Sequence, residues 1–330
     1  MSDGMVDGRL DDQPADRRWM RPRAVDPTTL RSRAEIEQAA LRDGFDAPPE
    51  SQLHLAWARF RRHRVAVGAA IVLVLLLTAC LAAPLLAPYP YTEQDLSSTF
   101  TGPNRTYWLG TDSLGRDQLS RLLYGGRVSL AVGFGVALVS GAFGTLLGTV
   151  AGYAGGWFDA VLMRFTDFVL ALPALIFLIV AARIFGDSIP IVVLLVSAIA
   201  WMPLARIVRG VTLSIKNQEY IFAARASGAR PGRILVRHVL PNVVGPVVVN
   251  LTLTVAAAIL LESSLSFLGL GIQPPTPTWG NMLAGSKGYV QTAPWLVWFP
   301  GLMILLTVLC VNFVGDGLRD ALDPTDTRPR

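Results

Sequence analysis

The residues in this chain that could do chemistry fall into three patterns. Glu262, Ser263 and Ser264 set two hydroxyls beside a carboxylate, the beginning of a nucleophile for acyl transfer. A serine needs a base within hydrogen-bond reach, and no histidine stands near these residues in the chain. The histidines are His54, His63 and His238, and none is spaced to share a metal ion with another. GAFGTLLGT (141–149) and AGSKG (284–288) come nearest to a phosphate-cradling loop, GxxxxGK followed by Ser or Thr. The first has no lysine and the second lacks the leading glycine, so these glycines suit close helix packing better than phosphate binding.

The elements that hold these residues are built for lipid. Hydrophobic residues make up 52% of the chain and charged residues 16%, and the mean hydropathy is +0.45, all displaced from a water-soluble average. About 20 apolar residues span a bilayer as a helix. Residues 65–87, 128–153, 165–184, 189–208, 243–270 and 295–313 each come near that length. The chain therefore reads as an all-α membrane protein with six transmembrane helices. Pro84, Pro173, Pro203, Pro246 and Pro300 interrupt them, which a packed bundle tolerates because neighbours satisfy the freed backbone groups. Cys80 and Cys310 lie inside apolar spans without CxxC spacing and read as small packing residues.

Placing the N-terminus inside puts Arg61, Arg62, Arg64, Arg206, Arg209 and the arginines of 225–237 on the inner side. Far fewer basic residues, among them Arg105 and Lys287, then fall outside, so both termini are expected in the cytoplasm. The basic excess flanks apolar spans, and no nucleic-acid partner is expected; membrane lipid is. Residues 1–52, rich in Arg, Asp and Pro without periodicity or an apolar signal core, read as a disordered cytoplasmic tail. Residues 53–127 comprise an interfacial helix, the first span and an extracytoplasmic loop. In the helix, Leu53, Trp57 and Phe60 share one face beside arginines. In the loop, Leu119, Leu122 and Leu123 predict a short helix on the outer membrane face, stopped by Gly125 and Gly126. Residues 128–318 form the core with five spans and a loop at 212–241, and 319–330 a cytoplasmic tail. Arg164 and Asp167 are spaced for an ion pair within one helix. Asn250 and Glu262 are polar groups inside a span. Either they belong to a path or gate, or Asn250 binds a neighbouring helix and Glu262 is hydrated or paired with Arg121 or Arg127.

The loop itself contains EYIFAARASGARPGRILVRHVLPN, residues 219–242. Asn217 is placed to cap a helix whose first turn carries Glu219. Tyr220, Ala223, Ala224 and Ser227 share a face that is small apart from the tyrosine. Gly228 suits the left-handed stop, and Pro231 starts a second short helix running to Leu240. Small residues at this spacing admit another backbone, as a helix seated in a partner's groove requires. An amphipathic loop packed on its own bundle would read the same way.

This segment resembles the cytoplasmic signature loop of ABC importer permeases of the dipeptide, oligopeptide and nickel class. That pattern has two alanines, a glycine and a Leu-Pro, matched here by Ala223, Ala224, Gly228, Leu240 and Pro241. The acidic residue that the general pattern places just before the alanines is Phe222 here; Glu219 stands one turn earlier, as in the peptide-transporter form EYxxAARAxG. LGTDSLGRDQLSRLLYGGRVSL (109–130), ESSLSFLGLGIQPPTPTWGNML (262–283) and GDGLRDALDP (315–324) are similar to runs of the second, C-type permease of such systems.

The resemblance implies a type I importer permease in a bacterial cytoplasmic (inner) membrane, with a coupling helix between its fourth and fifth spans. Its partners would be a homologous second permease, two ATPase subunits and an extracytoplasmic substrate-binding protein. ATP and Mg would be bound by the ATPases, and this chain would hold no cofactor and perform no catalysis. ATPase coupling would fall to Glu219, Tyr220, Ala223, Ala224, Ser227, Gly228, Leu240 and Pro241. The cargo would be dipeptides or oligopeptides, with nickel or another small solute as the alternative. An ion-coupled secondary transporter and a membrane hydrolase are the other classes, and neither accounts for the 219–242 pattern.

Overall fold

Arginine-flanked apolar stretches in this chain fold as long helices, because only helices satisfy every backbone group within the segment in lipid. A computed structural model describes residues 52–322. The helices are α1 (Gln52–Arg62), α2 (Arg64–Leu81), α3 (Ala83–Leu86), α4 (Gln118–Ala154), α5 (Gly156–Leu170), α6 (Ala174–Phe185), α7 (Ile189–Lys216), α8 (Glu219–Ala226), α9 (Pro231–Ile234), α10 (Leu240–Phe267), α11 (Trp279–Gly285) and α12 (Trp295–Leu322). Among the described residues there is no strand, only an isolated antiparallel bridge between Thr111 and Asp117. The tail expected over 1–52 lies outside the described residues except for Gln52, which opens α1. Of the expected C-terminal tail, residues 319–322 finish α12 and the rest lies outside the described residues.

Five helices, or helical runs, are long and apolar enough to cross a membrane: α2, α4, α7, the run Pro231–Phe267, and α12. The pair α5 and α6, bent by 89° at its break, is apolar enough to count as a sixth when its two helices are taken as one span. The span expected over 165–184, interrupted at Pro173, is found as two helices, and the first of them begins earlier, at Gly156. The cause of the break is Pro173, which brings no N–H and disfavours helical geometry in the residue before it; it sits extended at φ −61°, ψ 114°.

A correction concerns Gly125 and Gly126, which do not end a surface helix. α4 starts at the cap Asp117, whose Oδ2 accepts from Ser120 N at 2.7 Å, and continues through both glycines. Their role is close approach. A Cβ on Gly125 would stand 3.4 Å from the Thr278 backbone, and one on Gly126 2.8 Å from the Trp279 ring. Trp279 is fully buried there and donates its indole N–H to Leu122 O at 3.0 Å.

Further along α4 the glycines serve one neighbour after another. Gly144, Gly148 and Gly152, one turn apart, face α7: a Cβ on each would meet Trp201 O, Ala205 O or Arg209 O at 2.5–2.8 Å. The glycine-rich 141–149 run is thus a helix seam, as its lack of lysine suggested. Gly133 faces Ile259 of α10. α10 in turn packs on α12, and α12 on α2. Ile259, Val255, Leu130, Ala137, Ile304 and Val311 fill the resulting core, with Cys80 beside Trp279.

α5 is fastened to α7 by ion pairs across the helices. Arg209 grips Asp159 with two nitrogens, Nη2 to Oδ2 at 2.6 Å, and Arg206 pairs with Asp167. The expected Arg164–Asp167 pair is replaced by the Arg206 contact. A pair within one exposed helix is worth only a few tenths of a kcal/mol, whereas the bond to α7 also ties two elements together.

Candidate functional site

The segment that leaves α7 at Lys216 and joins the helical run beginning at Pro231 is a short helix followed by a tight turn. α8 begins after Gln218, which takes the N-cap position at φ −81°, ψ 146° without a side-chain bond. Asn217 is not that cap: it closes α7 instead, since its amide bonds Ile215 O. α8 ends in a Schellman motif. Ala229 N bonds Ala224 O at 3.0 Å, Gly228 N bonds Arg225 O at 2.9 Å, and Gly228 has φ +80°. A β-carbon there would strain the backbone, though nothing lies within 4 Å of its place.

Pro231 opens α9 as its first residue, but the second helix does not stop at Leu240. A π-turn, Leu235–Val239, joins α9 to α10 with Leu240 N bonding Leu235 O. The chain from 231 to 267 is thus one helical run, and Leu240 and Pro241 lie inside it. The extra residue of the π-turn comes just before Pro241, which has no N–H to give, and Asn242 Nδ2 donates to His238 O at 2.6 Å.

One face of α8 is bare and the other is clamped. Glu219, Tyr220, Phe222, Ala223, Ser227 and Gly228 are exposed, while Ala224 is half-buried. The opposite face inserts Ile221, fully buried, against Val208 and Ile215 of α7, Ile234 of α9, Val239 and Val243. Arg225 lies over the Tyr153 ring of α4 at 5.4 Å, and Lys216 Nζ donates to Tyr153 O at 2.6 Å. Tyr220 and His238 approach with ring centroids 6.0 Å apart, joining α8 to the π-turn. Ile221 and the Tyr153–Arg225 contact were not singled out by sequence reasoning. Ile221 had a local signal, being apolar and opposite the small face; Tyr153 had none, as its partner is 72 positions away.

The segment is a packed junction between helices, with Ile221 at its centre. α7 and the 231–267 run share one core with Ile221 of α8.

The two polar residues of α10 have different settings. Asn250 is half-buried and accepts from its own helix, Thr254 Oγ1 bonding its backbone O at 2.9 Å. Glu262 is completely buried. Its carboxylate accepts from Ser266 Oγ at 2.7 Å and Ser129 Oγ at 3.3 Å. The expected arginine partners are engaged elsewhere: Arg121 with Asp112 at 3.5 Å, Arg127 over the Tyr124 ring. Gly280 makes this burial possible, since a Cβ on it would strike Ser263 Cα at 2.6 Å. Ser129 Oγ also accepts from Trp279 N at 3.2 Å, so Glu262 joins α10, α4 and α11 in one node. Glu262→Ala is expected to cost about 3 kcal/mol through its cavity and the orphaned hydroxyls, and Glu262→Gln much less. Thermal melts of the purified complex test this; equal melting of Ala, Gln and wild type would remove the node.

Residues 144–325 match the family described as binding-protein-dependent transport system inner membrane component. Residues 51–103 match the N-terminal TM domain of oligopeptide transport permease C. The chain is 40% identical over 283 residues to the dipeptide transport system permease protein DppC of Alkalihalophilus pseudofirmus, covering 84% of this chain and 93% of that one. It is 42% identical over 270 residues to the oligopeptide transport system permease protein OppC of Haemophilus influenzae, covering 81% and 87%. With OppC of Escherichia coli the identity is 43% over 270 residues, covering 81% and 89%.

Proposed function

Because the chain belongs to the family of binding-protein-dependent transport system inner membrane components, we propose that it forms half of the path by which an ATP-driven importer carries dipeptides or oligopeptides. It is a multi-pass inner membrane protein of the type I permease kind. Peptide as cargo is supported by the names of the DppC and OppC relatives, which align over most of both chains.

In this reading a second, homologous permease completes the path, two ATPases bind ATP and Mg, and an external binding protein delivers the peptide. Residues 219–241 and both termini face the cytoplasm, in line with the arginine excess at that end. The observation that carries the coupling assignment is α8: its outward face is bare, with Ala223 and Ser227 beside the exposed rings of Tyr220 and Phe222, and its inward face is anchored by Ile221 to α7 and the 231–267 run. An ATPase groove would hold the bare face, and closure of the ATPases would move both helices together. Asn250, half-buried in α10, is assigned to the path. Glu262, with no exposed surface, is assigned to bracing the outer gate.

The test is uptake of a radiolabelled tripeptide into proteoliposomes. Uptake is expected only with both permeases, the ATPases, the binding protein and ATP. Uptake by this chain alone without ATP would overturn the reading in favour of an ion-coupled secondary transporter. ATP-dependent uptake of nickel in place of peptide would overturn the cargo alone.

A further inference from the structure

Away from the coupling segment, an apolar groove of about 350 Å³ lies between α1 and α2. It exists because the chain breaks at His63, at φ −81°, ψ 86°, where His63 Nδ1 caps α2 by accepting from Ala66 N at 3.1 Å. Phe60 and Ala66 pack on Gly317 and Ala321 of α12, which holds the corner shut on one side. The other side is open. Trp57, Ile71 and Val74 line the groove and are each more than half exposed.

The shape and the charge of the groove are both directional. Its α2 wall runs from Val67 to Leu75, about 12 Å of helix rise along an element that crosses the membrane. Arg61 is the charged side chain of the lining, at the α1 end, and Arg62 and Arg64 are exposed beside it. The acidic group at this corner, Asp320, is 3.8 Å from His63 Nε2. A slot that is basic at its mouth and apolar along its length matches a molecule with an anionic head and a hydrocarbon tail. Its volume falls at the low end of ordinary ligand sites, enough for part of one acyl chain.

We propose that this groove is a binding site for an anionic phospholipid, one acyl chain lying along α2 and the headgroup phosphate against Arg61. The assignment does not depend on which solute the protein imports. A bound lipid would complete the corner that fixes α1 on the membrane surface and would stabilise α2, which within the chain packs mainly against α12.

The experiment is native mass spectrometry of the full complex, equilibrated in mild detergent with equal amounts of phosphatidylglycerol and phosphatidylcholine of the same acyl chains. Wild type is expected to retain phosphatidylglycerol preferentially. Arg61→Glu should lower that retention on the order of tenfold, the effect of reversing one basic group at an anionic headgroup. Ile71→Trp, at an exposed position, should fill the groove and lower retention while the complex stays assembled. Leu138→Trp, exposed on a different helix, should leave retention as in wild type. Equal retention of both lipids by wild type, or undiminished retention in both groove variants, would overturn the site. So would a photoreactive group at Ala70 that cross-links to another subunit and to no lipid, since the occupant would then be protein.

Discussion

Ala223→Trp in the assembled importer is expected to lower transport-coupled ATP hydrolysis by about tenfold or more while leaving the melting temperature unchanged. Ala223 is exposed on α8, so within this chain the indole meets solvent, and exposed substitutions of this kind shift stability by about half a kcal/mol or less. In a partner's groove the same indole must displace closely packed atoms. Overpacking costs about 1–3 kcal/mol, and about 1.4 kcal/mol is already tenfold in affinity. The pairing of normal stability with lost coupling separates a contact role from a folding role. Gly228→Asp gives the complementary case: its surroundings are open, but φ +80° costs a side chain about 1–2 kcal/mol. Gly228→Val, which is β-branched and enters that region least readily, should lose more stability than Gly228→Asp. If Ala223→Trp hydrolyses ATP in response to peptide as wild type does, α8 is not the coupling surface.

Gly148→Leu is expected to prevent stable assembly of the chain. A Cβ at 148 would stand 2.5 Å from Ala205 O and 2.9 Å from Val208 Cβ, and a backbone carbonyl cannot rotate out of the way as a side-chain tip can. Relief therefore requires α4 and α7 to separate, which also opens the Gly144 and Gly152 contacts one turn to either side. The cost should exceed the usual overpacking penalty of about 1–3 kcal/mol. The matched control is Gly68→Ala, where nothing lies within 4 Å and the gain in helix propensity is up to about 1 kcal/mol. Thermal unfolding of the two purified variants decides the matter, and equal melting temperatures would show that the seam does not hold the helices.

Which features were legible beforehand depended on how far apart in the chain their causes lay. The Gly228 stop and the Pro231 start depend on residues a few positions apart, and both were legible, although the cap expected at Asn217 falls on Gln218. The stop assigned to Gly125 and Gly126 failed because the residues that need their missing side chains, Thr278 and Trp279, are some 150 positions later. Asp167 had a plausible partner in Arg164, but its bond goes to Arg206, 39 positions away. Glu262 was given arginine partners by their common level in the bundle, and the serine hydroxyls that hold it were invisible until α4 and α10 were side by side.

By itself the sequence determined that this protein lives in a membrane as a helical bundle, and that a small-residue helix interrupts it between α7 and α10. These follow from the cost of burying an unpaired backbone group in lipid and from periods of a few residues, both of which are written along the chain. Only the tertiary structure decided that α8 is clamped through Ile221 and Tyr153, that the run from 231 to 267 is continuous, and that Glu262 is sealed rather than wet. Those depend on which faces meet, and that choice is made by glycine contacts and hydroxyl bonds between helices far apart in sequence, whose energies exist only once the helices have packed.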